Sequence, residues 1–325
     1  MLMLSSASIF VMGISGRWNE FESGEVVPIE ISAVNVKSTN EGYARTWRRE
    51  EVLANFARLM GLLALCLVFL GPGLAWADVE TKPLSDVVQP PEGWTRVDVE
   101  EGSFAAFLRT LPIRQDRTWV KAFDGERLKS PSAHIVNIDV GTRDLQQCAD
   151  SVIRLHAEWL WEQKKPEWLK YHFTSGDLTT WPAWAKGERY KVKGSKVERV
   201  MSGANDSSRK NFRRWLNTVF MYAGTQSLHR DSIKPEPKDV QIGDFYNQPG
   251  GPGHVVIVLD IAVKDGKKMA ILGQGFMPAQ EFHVIKASNA IDGVWFELPE
   301  SADEQLVTPS WGPFKGSQLL RFKNL

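Results

Sequence analysis

Three patterns of apolar and polar positions organise the chain. Residues 59–70 are almost entirely apolar, which is typical of a short hydrophobic helix. Over residues 144–163 the apolar side chains recur every three or four positions, and this spacing predicts an amphipathic helix. Residues 254–274 contain two apolar, β-branched runs on either side of the turn sequence Asp265-Gly266, which predicts a β-hairpin.

The first apolar run has the flanks of a secretory signal peptide. Arginines precede residues 59–70, and the small-residue sequence Ala75-Trp76-Ala77 follows a Gly-Pro-Gly breaker. The run is about a dozen residues long, whereas a membrane-spanning helix needs roughly 20. We therefore expect a signal peptide over residues 45–77 and export to the periplasm or the extracellular envelope, with an uncleaved membrane anchor as the alternative.

The signal peptide divides the chain into three parts. Residues 1–44 lie upstream of the basic region where a signal peptide normally begins, so we interpret them as a spurious or disordered extension. Residues 78–325 contain no repeat and no low-complexity tract, and they are numerous enough to form a single α+β domain. The chain has 39 basic and 39 acidic residues, and this balance argues against a nucleic-acid partner. We expect no stable membrane span after cleavage.

Cys148 is the one cysteine that would remain after cleavage. Asp144 and Gln147 have the spacing of a capping box, so we expect the helix to begin at Asp144. Free backbone N–H groups and the helix dipole favour negative charge in the first turns, and this should lower the pKa of the thiol. The resulting thiolate would be a nucleophile. A lone cysteine on an apolar helix face is more often a packing residue, and that alternative stays open.

A thiol nucleophile needs a base, and His254 is the best-placed histidine. It begins a strand directly after the glycine-rich loop 249–253, at the rim of the predicted sheet. Gln274, on the return strand, is our candidate to orient the imidazole through its other ring nitrogen. A two-residue turn alone would place Gln274 opposite residue 257, on the wrong face. The pair therefore requires a bulge or an odd-numbered loop.

Other polar residues are candidates for supporting roles. Gln280 and His283 are alternatives for the third member, and Asp260 is a weaker one. Gln146 and Gln147 directly precede the cysteine, so their amide side chains are candidates for an oxyanion hole. Gln147 has an equally good explanation as the residue that closes the capping box.

Three segments resemble the papain-like cell-wall cysteine peptidases and amidases of the NlpC type. They are Cys148-Ala-Asp-Ser, Gly243-Asp-Phe-Tyr and Gly253-His-Val-Val-Ile-Val-Leu, followed by a polar residue on the next strand. The resemblance implies a papain-like α+β fold in which an antiparallel sheet packs against a helix that begins with the cysteine. It also implies a catalytic site of Cys148, His254 and Gln274 that cleaves peptide or amide bonds, without cofactor or metal. Peptidoglycan or another envelope polymer would be the partner.

A second resemblance covers nearly all of the part after the signal peptide. The segments Asp144-Leu-Gln-Gln-Cys-Ala-Asp, Tyr222-Ala-Gly-Thr-Gln-Ser-Leu, Gly253-His-Val-Val-Ile-Val and Gln274-Gly-Phe-Met-Pro-Ala-Gln280 are similar to the bacterial domain-of-unknown-function family 4846. This resemblance implies an exported single domain and specifies no activity.

Two other kinds of site stay open. Five tryptophans lie between residues 159 and 184, and tryptophan stacks well on sugars. A catalytically inactive papain-like domain that binds cell-wall glycan or an envelope protein is therefore the alternative function, although an aromatic core explains the same residues. His134, Asp139 and His254 could contribute to a zinc site, but the chain lacks the HExxH and CxxC spacings.

Overall fold

The structure, a computed structural model that describes residues 79–323, combines short helices with antiparallel strands. The helices in this range are α1 (Leu84–Val87), α2 (Phe104–Arg109), α3 (Cys148–Glu162), α4 (Trp181–Ala185), α5 (Arg209–Tyr222) and α6 (Thr225–Asp231). The first strands are β1 (Thr81–Pro83), β2 (Thr95–Arg96), β3 (Pro112–Arg114), β4 (Val120–Lys121), β5 (Arg127–Leu128), β6 (Ser132–Ile135), β7 (Lys170–His172), β8 (Leu178–Thr180), β9 (Glu188–Lys193) and β10 (Lys196–Met201). The remaining strands are β11 (Ser232–Ile233), β12 (Phe245–Gln248), β13 (His254–Lys264), β14 (Lys267–Gln274), β15 (His283–Ile285), β16 (Trp295–Glu297), β17 (Gln305–Thr308), β18 (Trp311–Lys315) and β19 (Leu319–Phe322).

One nine-stranded sheet organises the described residues. Its main path runs β11-β19-β12-β13-β14-β15-β6, while β2 pairs with β13 and β16 pairs with β14. The strand pairs within residues 79–323 are all antiparallel. These residues lie in one compact unit. The expected single α+β domain with an antiparallel sheet is confirmed.

The hairpin of β13 and β14 is the centre of the core. Asp265 and Gly266 connect the strands with φ angles of 48° and 80°, as a two-residue type I′ turn requires. The first nine residues of β13 are buried, which explains why this strand is apolar without alternation. Helix α3 packs on it through a face that includes Val152, Leu155 and Leu160. A helix that begins with cysteine therefore covers the central strands.

A β-bulge interrupts the hairpin. Val258 lies opposite Leu272, but the next pair is Asp260 with Ile271, so Leu259 is an extra residue on β13. This extra residue reverses the side-chain parity between the two halves of the hairpin. Such a change of register is what the pairing of His254 with Gln274 requires.

Asp260 anchors the bulged strand. Its carboxylate is fully buried and accepts hydrogen bonds from Arg96 Nε at 2.6 Å and Arg109 Nε at 2.7 Å. These arginines come from β2 and α2, so the ion pairs attach both elements to the central strand. Asp260 therefore binds arginines rather than the imidazole of His254.

The start of α3 differs from the sequence prediction. The helix begins at Cys148 with Gln147 as its N-cap, and Asp150 Oδ2 accepts a hydrogen bond from Gln147 N at 3.1 Å. Asp144 lies outside the helix, and its Oδ1 accepts a hydrogen bond from Ala279 N at 2.7 Å. The predicted cap at Asp144 is therefore wrong, because that carboxylate binds a neighbouring segment instead.

The tryptophan-rich segment contributes mainly to the core. Trp159, Trp181 and Trp184 are buried, and Trp161 packs against the buried Phe212. Trp168 is the exception in this segment, with 40% of its surface exposed. The segment therefore presents one exposed ring rather than a row of rings.

The expected signal peptide and the extension before it lie outside the described residues. Within residues 79–323, no helix has both the length and the apolar character needed to cross a bilayer.

Candidate active site

The bulge places Gln274 and His254 on the same face of the sheet. Ile257 pairs with Gly273, so Gln274 lies opposite Val256, which shares its face with His254. His254 Nε2 is 2.9 Å from Gln274 Oε1. Since an amide oxygen only accepts hydrogen bonds, Nε2 carries the proton and donates it.

A second histidine fixes the orientation of the glutamine amide. His283 Nδ1 is 3.0 Å from the carbonyl oxygen of Glu281 and must donate to it, so its Nε2 is an acceptor. Gln274 Nε2 lies 3.2 Å from that nitrogen and 3.0 Å from Ser310 Oγ. The amide nitrogen therefore faces His283, and the amide oxygen faces His254. This chain of contacts assigns the tautomer of both rings.

The other nitrogen of His254 is available as a base. Its Nδ1 is buried and has no hydrogen-bond partner among the described residues. The imidazole has no exposed surface, and the rings of Phe276 and Trp311 lie 4.8 and 5.1 Å from it, centroid to centroid. Burial lowers the pKa of His254 to about 4, and the hydrogen bond to Gln274 opposes this only in part. At neutral pH the Nδ1 atom therefore carries a free lone pair.

Cys148 lies against the beginning of the same strand. Its Sγ is 3.9 Å from the carbonyl oxygen of Gly253, and the backbone N–H of Val255 favours the thiolate. The sulfur is thus adjacent to the main chain on both sides of His254. Within the described residues, the imidazole makes no hydrogen bond to the sulfur.

The thiol is neutral in this arrangement, contrary to the sequence prediction. Burial, with a smaller contribution from the nearby carboxylate of Asp150, raises the pKa of Cys148 to about 11. Backbone N–H groups of Ala149, Val255 and Cys148 itself lower it, but by less. The predicted effect of the helix N-terminus is present, but the loss of solvation outweighs it. The expected low pKa is therefore wrong for this structure.

The two glutamines before the cysteine have other partners. Gln147 Nε2 donates a hydrogen bond to Asp144 Oδ1 at 2.9 Å. Gln146 Oε1 accepts hydrogen bonds from Arg154 at 3.2 Å and Arg213 at 3.1 Å. The main-chain N–H groups that act on the sulfur are those of Cys148 and Ala149, at the start of α3, and of Val255 on β13.

The remaining candidate residues, Gln280 and Asp139, bind partners other than His254. Gln280 Nε2 donates to Ser130 Oγ at 3.1 Å, away from His254. Asp139 forms ion pairs with Arg154 and Arg213. Among residues 79–323, no group of three or more His, Cys, Asp or Glu side chains is placed to hold one metal ion.

A cleft lies beside the glutamine. Its volume is about 360 Å³, and it is lined by residues 128–131, Gln274, residues 276–278, Gln280, Pro309 and Ser310. Sequence reasoning missed Ser310 and Trp311, because neither follows the cysteine, histidine or glutamine segments closely. The chain carries no local motif around these two residues that marks them.

These observations define an antiparallel α+β domain that brings together a helix-leading cysteine, a histidine and a glutamine. The chain belongs to the family described as domain of unknown function (4846), whose model matches residues 84–321. The family predicted from the sequence is therefore confirmed. No curated protein and no solved structure matches the chain.

Proposed function

We propose that this protein is a cysteine amidase or peptidase that acts on peptide or amide bonds in the bacterial cell envelope. The observation that carries the proposal is the orientation of His254. Gln274 holds its protonated Nε2, and its unprotonated Nδ1 has no partner. The sulfur of Cys148 lies against the residues on either side of this histidine.

The proposed reaction needs only these groups and water. His254 Nδ1 accepts the thiol proton as Cys148 Sγ bonds to the amide carbonyl carbon. The C–N bond then breaks, the leaving amine takes the proton from His254, and a thioester remains. Water, deprotonated by His254, hydrolyses the thioester and restores the thiol. Main-chain N–H groups at the start of α3 would stabilise the oxyanion.

The Cys148 thiol and the His254 imidazole are both neutral before substrate binds, so we expect general-base catalysis. The pKa of Cys148 is about 11 and the pKa of His254 is about 4, so a thiolate–imidazolium pair is disfavoured. Proton transfer would accompany the attack instead of preceding it. His254 would thus act as a general base in the transition state.

The papain-like fold and the export of the protein are part of the same proposal. The order of Cys148, His254 and Gln274 along the chain, and a cysteine-led helix packed on antiparallel strands, are consistent with that fold. The signal-peptide pattern at residues 45–77 supports delivery to the periplasm or the extracellular envelope. Peptidoglycan or another envelope polymer would then be the substrate.

Incubation of the purified full chain with peptidoglycan sacculi tests the proposal. We expect soluble fragments with new amino groups, measured by mass spectrometry, and a loss of at least about 100-fold on Cys148→Ala, since the nucleophile is removed. Met201→Ala, at a distant and exposed position, is the matched control and should retain activity. Equal release by the wild type and Cys148→Ala would overturn the proposal.

The alternative is a catalytically inactive domain that binds glycan or an envelope protein. The burial of most of the tryptophan-rich segment leaves little support for a glycan cleft there. Such a domain would retain its affinity for sacculi when Cys148 is replaced by Ala, and it would release no fragments.

A further inference from the structure

Positive charge is concentrated around Trp119. The guanidinium carbons of Arg117 and Arg127 lie 4.7 and 4.9 Å from the centroid of its ring, and Lys121 Nζ lies 5.5 Å away. Lys121 and Arg127 are direct neighbours across the β4–β5 hairpin. Like charges opposite each other destabilise a strand pair, and the contacts of Lys121 and Arg127 with the Trp119 ring offset part of this cost.

Most of this charge has no acidic partner. Glu281 neutralises Arg117 through two hydrogen bonds. Within the described residues, Lys121, Arg127 and Lys129 form no ion pair. We call these three residues the cationic hairpin face.

The cationic hairpin face adjoins the cleft beside the candidate site. Lys129 lines the cleft together with Ser130, Gln274 and Ser310. Backbone hydrogen bonds attach the hairpin to the cleft wall, including Glu281 N to the carbonyl oxygen of Lys121 at 3.0 Å. The cleft lining combines apolar side chains, including Leu128, Phe276 and Met277, with two amides, two hydroxyls and one ammonium group, and it contains no carboxylate.

The geometry points to an acidic peptide as the ligand of this cleft. A volume of about 360 Å³ is within the usual range for small-molecule and short-peptide sites. Lys129 would bind a side-chain carboxylate, and the neutral polar lining would bind main-chain amides. The inference rests on the proposed hydrolase for the fate of the peptide, because Gln274 lines the cleft and also holds His254.

Two peptides of equal size and different charge test this inference by binding alone. We would titrate acetyl-Ala-Glu-Ala-amide and acetyl-Ala-Gln-Ala-amide into the ¹⁵N-labelled full chain carrying Cys148→Ala, so that cleavage cannot consume the probe. The Glu peptide should bind about three- to tenfold more tightly and shift resonances of residues 128–131. Raising the salt concentration should weaken only the Glu peptide, because its charge is screened.

Charge variants locate the contact. Lys129→Gln should remove the difference between the two peptides, whereas Lys191→Gln, on the exposed β9–β10 hairpin, should leave it unchanged. Equal affinities, absence of binding, or equal effects of the two variants would overturn the inference. Cleavage by the wild type is measured separately. Selective binding without cleavage would contradict the proposed hydrolase activity but support the acidic-peptide site. Cleavage without charge selectivity would support the hydrolase activity but contradict the acidic-peptide site.

Discussion

Individual hydrogen atoms decide what the candidate site can do. The carbonyl oxygen of Glu281 determines which nitrogen of His283 is protonated, and Gln274 transmits that choice to His254. A glutamine is suited to this role because its amide has both a donor end and an acceptor end. In the proposed mechanism, His283 would thus be a positioning residue that acts through Gln274.

Replacement of Gln274 by Leu should disturb His254 without changing any charge. The imidazole N–H would lose its buried acceptor, so we expect the free energy of unfolding to fall by about 1–3 kcal/mol. We also expect the ¹⁵N resonances of His254 to change from one dominant tautomer to a mixture. Chemical denaturation and imidazole NMR measure these effects.

Gln305→Leu is the matched control, because Gln305 is exposed on β17. Its effect on stability should be within about 0.5 kcal/mol. An unchanged His254 tautomer in Gln274→Leu would contradict the hydrogen-bond chain.

The neutral state of the Cys148 thiol leads to a second prediction about a single residue. Because the pKa of Cys148 is about 11, iodoacetamide at pH 7 should modify it more slowly than free cysteine, and the rate should rise as the pH approaches 11. Peptide mapping by mass spectrometry would follow the peptide that contains Cys148. The denatured protein should lose this protection, and rapid modification of the native protein at pH 6 would contradict the neutral thiol.

Among the elements, β13 links the fold to the site through its bulge. Asp260 lies directly after the extra residue and binds Arg96 and Arg109. The upstream half of the strand then presents His254 to Gln274. The ion pairs therefore help to hold the register on which the histidine–glutamine contact depends.

Asp260→Asn should destabilise the protein by about 3–5 kcal/mol, because it leaves two largely buried arginines without their carboxylate. Thermal or urea unfolding measures this loss. Asp116→Asn removes a carboxylate that is about half exposed and should cost less than about 1 kcal/mol. Similar losses in the two variants would show that Asp260 is not the anchor we describe.

The same strand shows how far sequence reasoning extends. The hydrophobic pattern and the Asp265-Gly266 sequence predict the strands and their turn, and the facial parity of His254 and Gln274 shows that a bulge is needed. The position of the bulge does not follow from this pattern; in the structure it lies next to Asp260, whose partners Arg96 and Arg109 are far away in the chain. The predicted start of α3 at Asp144 is wrong for a similar reason, since the Asp144 carboxylate accepts a hydrogen bond from Ala279 N, a residue far away in the chain. The prediction of a low pKa for the Cys148 thiol is wrong because the spacing of residues along the chain does not reveal how deeply a side chain is buried.

For the molecule as a whole, burial of neutral histidines ties stability to pH. Burial lowers the pKa values of both His254 and His283 to about 4. The unfolded chain would bind protons at these residues below about pH 6.5, while the folded chain would not. Their contribution to stability is therefore present above pH 6.5 and is lost as the pH falls towards 4.

His283→Gln should reduce this dependence. Between pH 6.5 and 4 each such histidine contributes a slope of up to about 1.4 kcal/mol per pH unit, so one fewer should flatten the curve by that amount. Urea denaturation at several pH values measures the slope. His229→Gln removes an exposed histidine and should leave the slope unchanged. If the pH dependence of the free energy of unfolding did not change in His283→Gln, the burial of His283 in its neutral form would be contradicted.

If the protein is exported as we propose, protection of the Cys148 sulfur has a consequence for its survival there. Peroxides and mixed disulfides attack cysteine mainly through its anion, so a proton retained to about pH 11 slows both kinds of damage. A lone thiol exported without a disulfide partner would otherwise be consumed early. In the proposed mechanism, the burial that delays alkylation would also preserve the Cys148 thiol until a substrate carbonyl group reaches it.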